Sequence, residues 1–121
     1  MTLNLPSKNE QVLFCRLTNE QRDIYKAYLE SPVIKDIFKG STQIFVGLIN
    51  LRKICNHPDL FTNGPKEESE DVKDTFGYYK RSSKMKVVNV LLELWFKQDH
   101  KVLLFTQGKQ VHLDKIIWSF T

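Results

Sequence analysis

Residues 47–61 read GLINLRKICNHPDLF, and the organisation of the chain can be followed outward from this stretch. Its apolar residues continue a run that starts upstream, which predicts a helix that is capped by Ser41 or Thr42 and reaches about Cys55. These residues cover more than one helical face, so we expect the helix to be largely buried. The tripeptide NHP ends the helix, with Asn56 as its C-cap.

Upstream of this helix, the sequence predicts a strand followed by two helices. Residues 11–17 (QVLFCRL) are rich in strand formers and bounded by polar residues, which predicts a strand. Thr18 and Gln21 match a capping box, which predicts the start of a helix. This helix ends before Pro32, because proline disfavours a helical conformation at the preceding residue, and residues 33–38 predict a short second helix.

Downstream, a polar stretch separates two apolar blocks, residues 9–61 and 82–120. Within it, residues 66–74 contain five acids and two lysines, which gives a local charge of −3. A stretch of this composition has few side chains to bury, so residues 62–81 are predicted to be a solvated acidic linker.

The second block has the pattern of an α/β unit. Ser82 or Ser83 caps a helix that reaches about Gln98. Its expected core residues are Met85, Val88, Leu91, Leu92, Trp95 and Phe96. Residues 101–106 (KVLLFT) predict a buried parallel strand, and residues 108–120 allow a closing helix. Because one strand cannot bury both faces or pair both edges alone, we expect the chain to be a mostly helical fragment of an α/β fold.

The composition is that of an ordinary globular protein. The 121 residues are 41% hydrophobic and 26% charged, and the net charge of +4 allows a nucleic-acid partner without requiring one. No apolar run approaches the roughly 18 residues of a membrane span, and residues 1–8 show no secretory signal pattern, so we expect no membrane partner. Cys15 and Cys55 are expected to be free thiols, and no metal-ligand cluster is recognisable.

Four strings of this sequence resemble those of one protein family. They are residues 5–21 (LPSKNEQVLFCRLTNEQ), residues 47–61, residues 76–85 (FGYYKRSSKM) and residues 101–107 (KVLLFTQ). In order and approximate spacing they are similar to the Swi/Snf-type helicase-like ATPases of superfamily two. The string LRKICNHP indicates the family as a whole, and FGYYKRSSKM points to the subgroup of the Cockayne syndrome group B protein and other transcription-coupled DNA repair translocases.

The resemblance implies both a fold and a function. In this family two RecA-like lobes bind ATP between them and track along duplex DNA. By resemblance, residues 1–17 are the end of the first lobe, 18–61 a helical protrusion, 62–81 the linker between the lobes and 82–121 the incomplete start of the second lobe. The resemblance also implies a nuclear chromatin-remodelling or DNA repair protein, whose partners are the remaining lobes of the parent and transcription or chromatin proteins.

Two departures from the family pattern are visible. The family usually has glycine at the position of Ser83, and residues 111–121 no longer follow its sequence. ATP and magnesium are implied for the parent protein only. The chain has no GxxxxGK[ST] loop to wrap phosphates in backbone N–H groups, no DExH acid pair and no arginine-finger motif. We therefore expect no bound cofactor and no catalytic residue in this chain.

The candidate DNA-binding residues are Arg52, Lys53, Thr106, Gln107 and Lys109. Basic side chains can contact phosphates, although near the C-terminus of a helix they also complement the helix dipole. Thr106 ends the predicted strand and Gln107 follows it, at the place where α/β folds position ligand contacts, and a simple polar strand end is the alternative. All five suit phosphates rather than base edges, so we expect weak binding of duplex DNA without sequence preference.

Two other polar groups are better explained by structure than by function. One is the run of cations Lys80, Arg81, Lys84 and Lys86. Such a run usually forms a solvated face, and DNA contact is the alternative. The other group is Cys55 and His57, for which neither an activating base nor an oxyanion-binding device can be recognised, so nucleophilic catalysis is rejected.

Three functions stay open at this point. The first is a fragment of a DNA-dependent ATPase or translocase that is inactive alone. The second is a non-catalytic DNA- or protein-interaction module derived from such an ATPase, and the third is a small basic helical domain. A reading frame that continues into a phosphate-binding loop upstream and an arginine-finger motif downstream favours the first, whereas flanking start and stop codons favour the second.

The isolated chain is expected not to hydrolyse ATP, because the residues that grip phosphates and magnesium in this family are missing from its sequence. Steady-state phosphate release, measured with duplex DNA present and with a mock purification as the background, checks this. Release above that background, stimulated by DNA, would contradict the expectation.

Overall fold

The computed structural model describes residues 5–40, 43–65, 71 and 75–106, and all regular structure within them is helical. The α-helices are α1 (Asn19–Glu30), α2 (Pro32–Phe38), α3 (Ile44–Asn56), α4 (Asp59–Thr62) and α5 (Ser83–Lys97), with a short 3-10 helix (Tyr79–Arg81) before α5. Helices α1, α2 and α3 pack against one another, α4 packs on α3, and the 3-10 helix packs on α5.

The predicted start of α1 is confirmed. The Thr18 hydroxyl accepts a hydrogen bond from the Gln21 backbone N–H at 3.1 Å, and the Gln21 side chain accepts one from the Thr18 N–H at 3.0 Å. The predicted break at Pro32 is also confirmed, because α1 ends at Glu30 and Pro32 is the first residue of α2. Proline suits the first turn of a helix, where its missing N–H has no partner to lose.

The core lies where α1, α2 and α3 meet. Its buried hydrophobic residues are Tyr28, Ile34, Ile37 and Ile54. Gly47 allows α2 to approach α3 closely, since a Cβ at that position would lie only 3.2 Å from Cδ1 of Ile34. The Tyr28 ring packs edge-on against the Phe61 ring at a centroid distance of 5.0 Å, so α4 packs against the same core.

The expectation that α3 is largely buried is wrong. Only Gly47 and Ile54 are buried along its length, whereas Phe45 is 72% and Leu48 55% exposed. One face of α3 packs on α1 and α2, and the opposite face is not covered by the described part of the chain. The apolar residues on several faces therefore indicate surface that the described residues do not cover.

The predicted ends of α3 are also corrected. Its first residue is Ile44 and Gln43 occupies the N-cap, while Ser41 and Thr42 lie outside the described residues. At the other end the helix includes Asn56, so the C-cap is His57, in extended conformation, rather than Asn56. The sequence pattern predicted this helix correctly, but its C-cap lies one residue further along the chain. The reason is that the His57 N–H still donates to the Lys53 carbonyl at 2.9 Å.

Both predicted strands are wrong. Residues 11–17 and 101–106 have no regular structure, and their aromatic side chains are exposed, Phe14 by 95% and Phe105 by 88%. A strand needs a neighbouring backbone to pair with and a layer to cover its apolar side chains. The described residues provide neither a pairing backbone nor a covering layer. These two segments therefore have the sequence pattern of strands but do not form strands.

The start of α5 is predicted correctly, but its core is not. Ser82 caps the helix by accepting a hydrogen bond from the Met85 N–H at 3.3 Å. The expected core stripe is at best half-buried, and Phe96 is 65% exposed. The predicted closing helix over 108–120 lies outside the described residues. Among the helices that the structure describes, none combines the length and apolar character that crossing a bilayer requires.

Two isoleucines of α3 provide a matched test of this packing. Replacing Ile54, which is fully buried, by Ala should lower the free energy of unfolding by about 3 kcal/mol, because methyl groups are removed from a filled core. The same substitution at Ile49, which is 52% exposed, should cost less than about 1 kcal/mol. Urea unfolding followed by circular dichroism measures both, and equal losses would show that α3 packs differently.

Candidate functional site: a junction of three helix ends

The C-terminal end of α3 lies at the centre of the described structure. The last four carbonyls of an α-helix have no partner within the helix and need donors from elsewhere. In α3 the Lys53 carbonyl accepts from the His57 N–H, and the three carbonyls that follow accept from side chains of other helices. We call this place the junction, formed by the C-terminus of α3 and the N-termini of α1 and α5.

Gln21 is the central residue of the junction. Its side-chain NH₂ donates to the Ile54 carbonyl at 3.0 Å and the Cys55 carbonyl at 3.2 Å. Its side-chain oxygen accepts from the backbone N–H groups of Thr18 at 3.0 Å and Ser83 at 3.3 Å. Both ends of the amide therefore make two hydrogen bonds, and the side chain has no exposed surface. A single amide thus joins α1, α3 and α5.

Two hydroxyl groups complete the junction. Thr18 donates its hydroxyl hydrogen to the Arg81 carbonyl at 3.1 Å, and Ser82 donates its own to the Asn56 carbonyl at 2.6 Å. Both residues also cap a helix, so each hydroxyl is used once as acceptor and once as donor. The negative end of the α3 dipole meets the positive ends of α1 and α5, which is electrostatically favourable.

A second polar cluster lies beside the junction and is called the Asp59 clasp, formed by Asp59, Gly77 and Arg81. Asp59 Oδ1 accepts from Arg81 Nε at 3.1 Å, and Oδ2 accepts from Arg81 Nη2 at 2.5 Å and from the Gly77 N–H at 2.7 Å. The Asp59 side chain is 4% and the Arg81 side chain 16% exposed. Buried forked pairs of this kind are among the stronger polar contacts in proteins.

His57 connects the clasp to the chain that precedes α5. Its Nδ1 accepts from the Asp59 N–H at 3.1 Å, so Nε2 carries the proton and donates to the Tyr78 carbonyl at 2.9 Å. Both ring nitrogens are thereby occupied, and the residue is 6% exposed. His57 is therefore a structural bridge between the start of α4 and the chain that precedes α5.

Two glycines allow the chain to pass close to Asp59. Gly64 has φ +57°, and a Cβ there would lie 2.6 Å from Cδ2 of Phe76 and 3.2 Å from Cγ of Asp59. Gly77 has φ +79°, which turns its N–H toward the Asp59 carboxylate. Left-handed backbone is accessible to glycine at little cost, so both positions favour this residue.

Cys55 is close to the junction but is not activated. Burial raises the pKa of its thiol above the usual value, and the nearby Lys84 ammonium offsets part of that increase. Lys84 is placed there by donating from Nζ to Asn56 Oδ1 at 2.5 Å. Because the thiolate is the reactive form of cysteine, a raised pKa disfavours a nucleophilic role for Cys55.

The chemistry of the junction and the clasp is therefore that of a structural joint. Their polar side chains are used by partners within the chain, and no buried side-chain nitrogen or oxygen lacks one in the part of the chain that the structure describes. No group of three or more His, Cys, Asp or Glu residues suited to a metal ion occurs there either. The arrangement can fix the relative position of helices.

The structure places three of the five DNA-binding candidates. Arg52 is exposed on α3, and Lys53, the next residue of the helix, is half-buried. Thr106 is exposed at the end of the described residues. Gln107 and Lys109 lie outside the described residues. Arg52 and Lys53 are sequence neighbours in the last turns of α3, and DNA contact by any of the five stays a prediction.

The interpretation of the basic run as a solvated face needs correction at one position. Arg81 is mostly buried and binds Asp59, whereas Lys84 is exposed while it donates to Asn56 Oδ1. The sequence analysis also missed Gln21 as the centre of the junction, although it found the capping box that places it. The spacing of 22 residues between Asp59 and Arg81 carries no periodic signal that could reveal the pair.

The comparisons with known proteins relate this chain to much longer DNA repair and chromatin proteins. The family described as SNF2-related domain matches residues 1–60. The chain is 55% identical over 116 residues to DNA excision repair protein ERCC-6 of Homo sapiens. It is 47% identical over 108 residues to DNA repair and recombination protein RAD26 of Saccharomyces cerevisiae, and 44% identical over 108 residues to Protein CHROMATIN REMODELING 8 of Arabidopsis thaliana.

These alignments cover most of this chain and little of its relatives. They span 92% of the chain for the human protein and 89% for the yeast and plant proteins. The same alignments span only 8%, 10% and 9% of the three relatives. The chain therefore matches one short segment of each of these much longer relatives.

Two aspartates provide a matched test of the clasp. Asp59→Asn should lower the free energy of unfolding by about 3 kcal/mol, because the buried Arg81 guanidinium loses its counter-charge. Asp36→Asn removes a carboxylate that is 77% exposed and 4.0 Å from Lys39, and should cost less than about 0.5 kcal/mol. Urea unfolding at neutral pH compares them, and a small loss at Asp59 would mean that the clasp contributes little.

Proposed function

Since the chain belongs to the Swi/Snf-type helicase-like family, in the subgroup of the human and yeast repair proteins above, we propose that it is the connecting segment of a DNA-dependent ATPase. The parent would be a translocase of the chromatin-remodelling and transcription-coupled DNA repair type, and the segment would join the first lobe to the second. One observation carries the proposal. Three of the four strings that resemble the family meet in the junction and the clasp, through residues 18–21, 54–59 and 77–83.

The amount of exposed surface supports a segment that belongs to a larger protein. Large apolar side chains are exposed in most parts of the described structure. Apolar side chains on α3 and α5 account for part of this surface, among them Phe45 at 72% and Phe96 at 65% exposure. In the proposed parent the remaining parts of the two lobes would cover them.

ATP and magnesium would be held by other parts of the parent. In the part of the chain that the structure describes, the buried Asp59 carboxylate is not available to either ligand, because Arg81 and Gly77 occupy both of its oxygens. The sequence also lacks the glycine-rich loop that wraps phosphates. A nuclear location and partners from transcription or chromatin are part of the proposal, supported by the names of the relatives.

A second candidate function is a non-catalytic interaction module, with which the outer face of α3 is also consistent. Phe45, Leu48 and Ile49 lie at positions i, i+3 and i+4, and all three are more than half exposed. An apolar stripe with this spacing is one side of a helix–helix contact. In the first candidate function the same stripe would be covered by the parent, so both proposals account for it.

Binding of DNA by the isolated chain is expected to be weak and sensitive to salt. With Arg52, Lys53 and Lys109 as the candidate cations, the logarithm of affinity should fall with the logarithm of salt concentration with a slope of about two to three. Fluorescence anisotropy with one duplex and its scrambled version measures this. Tight binding that survives high salt, or a strong preference for one duplex, would show that the candidate residues are wrong.

The connecting role can be tested by exchange into the human relative. Replacing the 116 matched residues of that protein with the corresponding residues of this chain should preserve DNA-stimulated ATP hydrolysis, measured beside the unchanged relative. A matched control replaces the same residues with a flexible linker of equal length and should abolish the stimulation. An exchanged protein that folds but shows no DNA-stimulated hydrolysis would contradict the proposed function.

A further inference from the structure

We propose that residues 101–105 (KVLLF) pair with the same residues of a second copy of this chain, as two antiparallel strands related by a two-fold axis. The inference goes beyond the proposed function and does not depend on it, because it concerns the chain on its own. It assigns an interaction surface to a segment that no described residue covers. The partner that fits this surface is the same segment running in the opposite direction.

The side chains of residues 102–105 alternate in their exposure. Val102 and Leu104 are 38% and 39% exposed, whereas Leu103 and Phe105 are 84% and 88% exposed. A period of two residues is that of a strand, in which successive side chains point to opposite faces. The segment therefore presents Leu103 and Phe105 to solvent as one apolar ridge, although it belongs to no sheet.

The backbone of this segment is also available for pairing. Within the described part of the chain, residues 101–105 make no backbone hydrogen bond. Extended backbone with unpaired N–H and C=O groups is the surface to which another strand adds. A helix would cover the apolar ridge but leave these backbone groups unpaired, so a strand is the occupant that suits both.

Antiparallel pairing centred on Leu103 suits the order of the side chains. In that register Leu103 lies opposite the partner's Leu103, and Lys101 lies opposite the partner's Phe105. Each position then faces an apolar side chain, and the stem of Lys101 packs along an aromatic ring. Parallel pairing in register would instead place the two Lys101 ammonium groups opposite each other, which is unfavourable. An antiparallel pair about a two-fold axis also closes as a dimer.

Residues 11–17 are also exposed, but they are less suited to pairing. Arg16 lies within that run and is exposed, and a charge within an edge strand opposes pairing with another chain. Residues 102–105 carry no charge, because Lys101 precedes them. Short uncharged segments of high β-propensity without proline are those that pair most readily between chains. These differences assign the contact to residues 101–105.

Sedimentation velocity of the full chain over a range of concentrations tests the pairing. A reversible dimer with twice the mass of the 14.2 kDa chain is expected. Leu103→Lys places two ammonium groups opposite each other at the two-fold axis, and should weaken the dimer by about tenfold or more. Phe14→Lys, the matched change in the other exposed segment, should leave the dimer unchanged. Circular dichroism checks that both variants keep their helices.

Three outcomes of this experiment would overturn the proposal. The first is a chain that stays monomeric at every concentration, and the second is a chain that forms only large aggregates without a dimer. The third is a dimer that survives Leu103→Lys. If that dimer is lost instead with Phe14→Lys or with Phe45→Lys, the contact lies in residues 11–17 or on the outer face of α3.

Disulfide trapping with oxidised glutathione tests the register. Leu103→Cys places two thiols opposite each other, where the Cβ atoms of paired residues are about 5 Å apart, so the two chains should become linked. Phe105→Cys places them about 13 Å apart along the strands, and those chains should stay unlinked. The unaltered chain measures the background from Cys15 and Cys55. Equal linking of both variants, or of neither above the background, would overturn the antiparallel pairing.

Discussion

The described structure depends on the hydrogen bonds of one side-chain amide, that of Gln21. A helix that ends inside a protein leaves carbonyl groups that water cannot reach, and each one without a donor costs free energy. Gln21 supplies two donors to the end of α3 and accepts from the backbone at the start of α1 and of α5. Removing the amide would leave buried groups unpaired on three helices at once.

The junction gives a physical meaning to the strings that resemble the family. NHPDLF and FGYYKRSSKM are far apart in sequence, yet five direct contacts connect them. His57 contacts Tyr78, Asp59 contacts Gly77 and Arg81, and Asn56 contacts Ser82 and Lys84. The side chains of Asn56, His57, Asp59, Arg81 and Ser82 are occupied by these contacts. Their specificity to a family of ATP-driven proteins is therefore explained by position and rigidity and does not require a catalytic role for them in this chain.

Local signals in the sequence predicted local structure well. The capping box at Thr18, the break at Pro32 and the cap at Ser82 each depend on residues within four positions of one another, and the structure confirms all three. Whether a helix or strand is buried depends instead on what lies beside it. For that reason the exposure of one face of α3 and of the two segments predicted as strands could not be foreseen. Their apolar patterns predict burial, but no described residue covers them. The Asp59 clasp was missed because its two halves meet only through the fold.

The central claim is that Gln21 holds three helices together, and the most direct measurement is the free energy of unfolding of Gln21→Leu. Leucine has a similar volume and no polar atoms, so the Ile54 and Cys55 carbonyls and the Ser83 N–H lose their partner. The account predicts a loss of at least about 3 kcal/mol in urea unfolding. Gln11→Leu, at an exposed glutamine, should change the same quantity by less than about 0.5 kcal/mol. A Gln21→Leu variant as stable as the Gln11→Leu control would contradict the account.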